Sequence, residues 1–302
     1  MNQPLFARVL IVGVGLIGGS LALAARRAGA VQEVRAWERT PEILARAHAL
    51  GIISAPPADI AAACAAVDLV VLAAPVAQTG AILQSLLPHL PQEALISDVG
   101  STKQDVAEAA RSVLGAQSWR FIPAHPIAGR EVHGPEAALA DLFQGRKVVL
   151  TPLPENRAQD IARLRALWQA CGAQVQILSP QQHDQIFAAV SHLPHLLAYA
   201  LVEMLAARPE RAQFFNYAAS GFRDFTRIAA SSPEMWRDIA LANRSALLQE
   251  MDAYQSSLQH LRQLLEQADG PAMHDLFARA QSARQEWQQS QANPLPNSGS
   301  TT

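Results

Sequence analysis

VLIVGVGLIGG, residues 9–19, decides how the chain reads. Its first half is a run of β-branched and leucine residues suited to a strand buried on both faces. Gly13, Gly15 and Gly18 then interrupt it before an alanine-rich segment predicted to be a helix over residues 20–28. Strand, tight turn and helix in that order form the dinucleotide-binding arrangement. Gly13 makes the turn, Gly15 admits a pyrophosphate against the backbone, and Gly18 lets helix and strand pack closely. Phosphates in such a site rest on unpaired N–H groups at the positive end of the helix. Gly13, Gly15, Leu16, Ile17 and Gly18 are therefore expected to touch the cofactor. The glycine pattern alone is weak evidence, since ligand-free glycine turns produce it too; its register with the next strand is the stronger signal. That second strand, predicted over residues 33–37, ends at Glu38, 20 residues after Gly18. A carboxylate there accepts both hydroxyls of an adenosine ribose and repels a 2′-phosphate, which favours NAD over NADP. Arg39 follows at once and weakens that preference, so some tolerance of NADP is expected.

Composition narrows the function classes. The 302 residues are half hydrophobic and 17% charged, a globular balance with ample length for a core. A formal net charge of −2 and the lack of any lysine-rich cluster leave no electrostatic footprint for nucleic acid or an anionic membrane, and neither partner is expected. Cys64 and Cys171 stand far apart with no metal-type spacing, which fits two buried thiols in a reducing cytoplasm. The apolar run 9–25 is broken by glycines, and the run 60–77 carries Asp68 and Pro75, so neither reads as a leader or a membrane span.

Further along, helices are predicted over residues 41–50, with Thr40 as cap and Pro41 in first position, and over 58–66, 78–87 and 103–114. Strands are predicted over 68–73, 94–98 and 120–123. This alternation implies an α/β, Rossmann-like domain built on a mostly parallel sheet with helices on both faces. Ligands bind beyond the carboxyl ends of such strands, where Ala74 and Pro75, Gly100 and Ser101, and residues 125–129 lie. A strand over 147–150, a helix over 156–171 and a strand over 174–178 complete the pattern. From Pro180 only helical periodicity remains, so an all-α helical domain follows. The expected division is a dinucleotide-binding domain 1–179, a helical substrate and dimerisation domain 180–290, and a disordered polar tail 291–302. One long helix is predicted from a cap at Ser231 or Ser232, with Pro233 in its first turn. Along it Trp236, Ala240, Asn243, Leu247, Met251, Tyr254, Leu258, Leu261 and Leu265 recur at intervals of three and four as one seam. The seam packs either within its own domain or in a symmetric homodimer. The dimer is favoured because a small helical domain offers little core.

A nicotinamide cofactor moves hydride, and oxidising an alcohol also requires a group to take the hydroxyl proton. His125, in AHPIAG at a strand end, suits a base at neutral pH; the alternative is a histidine satisfied within its loop. Ser101 can bond the same hydroxyl or orient the histidine, or it can simply cap the helix that follows. His192 and His195, in SHLPH, face one way if helical. Zinc would need a further ligand, with His183 the only nearby supplement, so no metal is expected. His195 suits a polar cleft. Arg227, in GFRDFTRIA, can hold a carboxylate bidentately, or it lies with Arg223 and Asp224 on a solvated helix face.

Taken together, VGVGLIGGS, LAAPV, SDVGSTK, HPIAG followed by Glu131, HDQIFAAVSHLPH, GFRDFTRIA and SxPEMWRDI occur in the order seen in prephenate dehydrogenases, including the arogenate-accepting cyclohexadienyl dehydrogenases, which this chain resembles over about residues 8–265. The resemblance implies NAD-dependent oxidative decarboxylation of prephenate, arogenate or both, in tyrosine biosynthesis. It implies that His125 bonds the ring C4 hydroxyl and Ser101 assists it. It further implies that Arg227 binds a carboxylate, His192 and His195 line the substrate pocket, Glu131 guards its entrance, and the helical domain forms a homodimer. Ala218, Ala219 and Ser220 stand where some members carry more glycines. Two other readings keep the nucleotide site. A β-hydroxyacid dehydrogenase-like reductase commonly uses a lysine in the helical half, and this chain has none past residue 150. A non-catalytic NAD-binding sensor module would bind NAD without turnover.

Overall fold

The computed structural model describes residues 3–130 and 132–292, with side chains described to residue 290; Glu131 and the terminal stretch 293–302, to which most of the expected tail belongs, lie outside the described residues. The chain forms two compact units, residues 1–247 and 248–302.

The first unit opens with strand β1 (Phe6–Val12), helix α1 (Leu16–Arg27), β2 (Val31–Trp37), α2 (Pro41–Ala49), α3 (Ile60–Cys64), β3 (Leu69–Leu72), α4 (Thr79–Leu86), β4 (Leu95–Asp98), α5 (Gln104–Leu114) and β5 (Phe121–Ile122). These strands make a parallel sheet in the order β2-β1-β3-β4-β5. From Val9 to Val12 the apolar residues of β1 alternate between the two faces. Val9 and Ile11 enter one core cluster, with Leu21 of α1 and Trp168; Leu10 and Val12 enter the other, with Leu83 and Val106. That is why the strand reads as an unbroken apolar run rather than an alternating one. The chain leaves β1 toward β2 on one side and returns to β3 on the other, so the carboxyl ends of β1 and β3 form the switch point where doubly wound sheets bind ligands.

Helix α1 starts at Leu16, four residues before the expected start at Ser20. Glycine disfavours helix interiors, but here close approach overrides propensity. A Cβ on Gly18 would lie 2.1 Å from the Gly13 carbonyl oxygen, and one on Gly19 would lie 2.8 Å from Ala138 Cβ. The Asp59 side chain, not Ala58, begins α3 by accepting the Ala62 N–H.

A second difference bears on function. The chain does not end β5 in a loop. It turns at Pro123 and continues as β6 (Ala124–Pro126), which pairs antiparallel with β7 (Lys147–Leu150); β7 in turn pairs parallel with β8 (Gln174–Ile177) beyond α6 (Ala158–Ala170). The expected strands are present, but they divide between a five-stranded parallel sheet and a three-stranded mixed one. Proline lacks the N–H needed to continue a ladder, which suits the corner between them. His125 therefore stands on a strand, opposite Val149, not in a loop.

Every later described element is helical: α7 (Pro180–Phe187), a π turn over Ala188–His192, α8 (Leu193–Ala206), α9 (Arg211–Asn216), α10 (Ser220–Thr226), a 3-10 turn over Arg227–Ala230 and α11 (Pro233–Ala242). Ser179 caps α7 through a reciprocal capping box with Gln182. Ser232 caps α11. The expected single seam helix is two helices, α11 and α12 (Arg244–Glu266), broken at the buried Asn243. Its Nδ2 donates to the Asp184 carbonyl at 2.8 Å and lies 3.1 Å from His192 Nδ1. The second unit holds the remainder of α12 and α13 (Gly270–Ala292), whose first turn is capped by the Asp269 side chain.

Because a methyl group at residue 18 meets backbone rather than a yielding side chain, Gly18→Ala is expected to lower the unfolding free energy by about 2–3 kcal/mol. Urea denaturation followed by circular dichroism measures this.

Candidate active site

The turn after β1 is shaped by the close approach of Ala73 to Gly13. Gly13 holds φ +98°, and a Cβ there would lie 2.5 Å from the Ala73 carbonyl oxygen, so only glycine fits. Gly15, the first position of the α1 cap, faces open space, and no side chain caps the helix. The end of α1 therefore offers bare N–H groups to an anion. Two cavities meet at this turn. The smaller, about 550 Å³, is lined by Gly13, Trp37, Glu38, Arg39 and Gln78. The Glu38 carboxylate accepts the Arg39 N–H at 2.9 Å. The larger, about 1130 Å³, runs from Leu16, Ile17 and Gly18 past Val99, Gly100 and Ser101 to His125, Phe187, His195 and Trp236. Gly15, Ala74 and Pro75 line both. All nine residues expected at the cofactor lie on these walls, and the cradle fits a dinucleotide. The phosphates would meet the open helix end at Gly15, and the adenosine ribose would meet Glu38.

Ser101, His125 and His195 come together on the larger cleft. Ser101 does not cap α5. That cap is supplied from α7, where the Asp184 carboxylate accepts the N–H groups of Lys103 at 2.8 Å and Gln104 at 2.9 Å. His195 donates from Nδ1 to the Ser191 carbonyl at 2.9 Å and stacks on the Trp236 indole, with ring centres 3.6 Å apart. His192 does not line the cleft as expected. It is buried behind the wall, because its Nδ1 is taken by Asn243. The Arg227 side chain is exposed at the start of its 3-10 turn; Ile228, the next residue, lines the cleft and Arg227 does not. Glu131 lies outside the described residues, and its neighbours Arg130 and Val132 line the cleft.

Behind His125 lies a polar cluster that motif reading missed. Its Nδ1 is 2.8 Å from His183 Nε2, and His183 Nδ1 is 2.8 Å from Asp184 Oδ1. The peptide just before His125 is clamped as well. Asp98 accepts the Ala124 N–H, while the buried Lys103 ammonium donates to the Ala124 carbonyl and to Asp98. Since Lys103 also donates its backbone N–H to Asp184, the bonds close into a ring through Asp98, Lys103, Asp184, His183, His125 and Ala124. The available signals were the cap before HDQIF and a lysine beside Asp98, and neither points to a partner by itself. His183, expected at most to supplement a metal site, is committed to this ring.

Electrostatics follow from burial. Desolvation, and then the neighbouring His183, Lys103 and His192, hold the His125 imidazole well below the ordinary histidine range, so it is neutral at pH 7 and able to accept a proton. Burial lowers His183 too, against the pull of the Asp184 carboxylate. Burial works to raise Asp184, but its bonds from His183 and the α5 backbone outweigh this and hold it below the usual carboxylate range. Burial pushes the Cys64 and Cys171 thiols up to about 11 and about 12, which leaves both unreactive.

A glycine cradle at the switch point of a parallel sheet, opening directly onto a neutral histidine, defines a nicotinamide-dinucleotide dehydrogenase architecture. The family models for the nucleotide-binding and dimerization domains of prephenate dehydrogenase match residues 21–177 and 179–279. Cyclohexadienyl dehydrogenase of Zymomonas mobilis is 36% identical over 284 residues, covering 93% of this chain and 96% of that protein. The crystal structure of prephenate dehydrogenase from A. aeolicus in complex with hydroxyphenyl propionate and NAD+ superposes with a TM-score of 0.87 at 36% identity, covering 93% and 98% of the two chains. Synechocystis arogenate dehydrogenase gives a TM-score of 0.79 at 29% identity, covering 93% and 99%. The chain belongs to the prephenate dehydrogenase family.

His192 gives a pH signature. Burial lowers it to about 4, so the unfolded chain binds this proton first as pH falls. Its contribution is complete above the unfolded value near 6.5 and is lost as pH drops toward 4. Stability is expected to fall by about 2 kcal/mol between pH 7 and pH 5 from this residue alone. His192→Gln should flatten that part of the curve in denaturant titrations at the two pH values.

Proposed function

We propose that this protein catalyses NAD-dependent oxidative decarboxylation of prephenate to 4-hydroxyphenylpyruvate, of arogenate to tyrosine, or of both. The observation that carries the reading is the neutral His125 on the cleft that opens from the glycine cradle, with its Nδ1 already committed to His183. NAD, when bound, supplies the hydride acceptor for ring C4. His125 Nε2 takes the proton of the C4 hydroxyl as the carbon is oxidised. Loss of CO₂ then leaves a phenolate, to which His125 returns the proton, so the net reaction consumes none. Aromatisation drives the decarboxylation, so the protein needs no separate acid for that step. Ser101 shares the hydroxyl and His195 lines the pocket; Arg227, exposed beside the cleft-lining Ile228, would turn toward the cleft to take a substrate carboxylate bidentately. His192 supports the wall from behind. Glu38 favours NAD, with Arg39 leaving room for NADP.

In this reading residues 1–179 serve the cofactor and residues 180–290 serve substrate and assembly. A homodimer is supported by the dimerization model that matches residues 179–279 and by exposed apolar side chains such as Val190, Met204, Phe214, Tyr217 and Phe225. The continuous helical stretch Pro180–Ala206 is long and apolar enough by composition to cross a membrane. Its buried His183, Asp184 and His192, and its share of the cleft wall, favour a protein partner for its apolar side. A cytoplasmic location fits the two buried, unpaired cysteines.

His125→Asn is expected to lower turnover by about 10² or more while NAD still binds with its original affinity. Following NADH formation with prephenate and with arogenate in parallel, alongside NAD titration of the variant, tests both halves; undiminished turnover would remove the assignment. Arg227→Lys is expected to raise KM by about tenfold and leave kcat within about twofold, because ammonium cannot reproduce the bidentate contact.

A further inference from the structure

The hydrogen bonds of the buried cluster dictate where its protons sit. Both oxygens of the Asp184 carboxylate accept backbone N–H groups of α5, and Oδ1 also faces His183 Nδ1. An ionised carboxylate only accepts, so His183 Nδ1 carries a hydrogen. In the neutral ring His183 Nε2 is then a lone pair, and the atom 2.8 Å away, His125 Nδ1, must be the donor. That leaves His125 Nε2 unprotonated, the tautomer a base at the cleft requires. His183 and Asp184 are both fully buried and neither lines the cleft, so they act through His125.

We infer that His183 and Asp184 are positioning residues that form a two-step proton relay: as His125 Nε2 takes the substrate hydroxyl proton, the hydrogen on His125 Nδ1 moves to His183 Nε2, and the positive charge comes to rest beside the Asp184 carboxylate. In the step, the O–H bond of the substrate and the Nδ1–H bond of His125 break, and the Nε2–H bonds of His125 and His183 form. Each proton returns along the same path when the phenolate oxygen is reprotonated, so no further reactant is needed. The inference rests on the reading of His125 as the base. Other charged or titratable groups facing the pair are Lys103 with Asp98, His192 and, beyond Asp184, Asp105.

Three variants separate the roles. Asp184→Asn can present an N–H to His183 Nδ1 and so reverse both tautomers. His183→Gln can still accept from His125 Nδ1 but cannot hold a proton. His125→Asn tests the base itself. Expected for Asp184→Asn is a fall in kcat of about 10²–10⁴, with KM for prephenate and Kd for NAD within about threefold. For both Asp184→Asn and His183→Gln, the acid limb of the kcat–pH profile should move down by about one pH unit or more. A merely structural loss would lower the plateau without moving that limb. Ring-nitrogen ¹⁵N spectra of the histidine-labelled wild-type protein, assigned with His183→Gln and His125→Asn, give a readout independent of turnover. They should show Nδ1–H and a bare Nε2 on both rings at pH 7.5. The opposite tautomer on either ring overturns the relay, as does an unmoved acid limb in His183→Gln. If His125→Asn is inactive while the other two variants match wild type, the relay alone falls; if His125→Asn is fully active, the base reading falls first.

Discussion

The carboxylate of Asp184 is the constraint on which the rest of the site depends. Helix α5 has no side-chain cap of its own, and the first turn of any helix leaves N–H groups without partners. Asp184, arriving from α7 about eighty residues later in the chain, accepts two of them and adds a negative charge where the helix dipole favours one. One side chain thereby joins the parallel-sheet region to the helical region within the first unit and fixes the loop carrying Ser101. A buried carboxylate is costly unless its lone pairs are used. Here two backbone donors and an imidazole use them, and Asn243 secures the backbone of the same residue. The pair of Asp98 and Lys103 repeats this device one layer away, acting on the peptide of Ala124. His125 is thus held by its main chain from one side and by its ring from the other.

The fold was largely legible because its signals are local. Unbroken apolar runs mark strands buried on both faces, and caps such as Ser179 and Ser232 mark helix starts within a few residues. What local reading missed were features set by distant contacts. Helix α1 begins early because Gly18 and Gly19 are required by close neighbours, so their poor propensity carries little weight. The change of sheet at Pro123 depends on β7, which lies more than twenty residues further on. The break at Asn243 depends on the Asp184 carbonyl, since a polar residue within a seam otherwise reads as a tolerated interruption.

The site divides along the same line. Residues whose role follows from a short motif could be found: the glycine cradle, Glu38, Ser101, His125 and His195 all reach the cavities. The ring behind His125 could not be, because the two bonds that join its sheet side to its helix side span 58 and 81 residues. His183 reads only as a nearby supplement to a metal site, and Lys103 only as the first residue of the helix over 103–114. His192 shows the converse error. Its spacing from His195 does bring both rings against Trp236, but His192 closes the π turn over Ala188–His192 and is buried with its Nδ1 held by Asn243, while His195, one turn on, reaches the cleft.

With His125 as the proposed base, these pieces explain how an imidazole of low proton affinity can suit the chemistry. Burial keeps His125 neutral, which is needed for it to accept a proton at all, but burial also opposes the charge it gains. The cluster behind it offsets that penalty. With His125, His183 and His192 neutral, Asp98, Asp184 and Lys103 give it a formal charge of −1, which favours an arriving proton. The compensating carboxylate sits on the far side of His183, where it can stabilise the charge without forming an ion pair with His125 that would hold the proton too tightly to give back. A reaction that borrows a proton and returns it to the same oxygen needs that balance, and a directly paired carboxylate would trade reversibility for basicity.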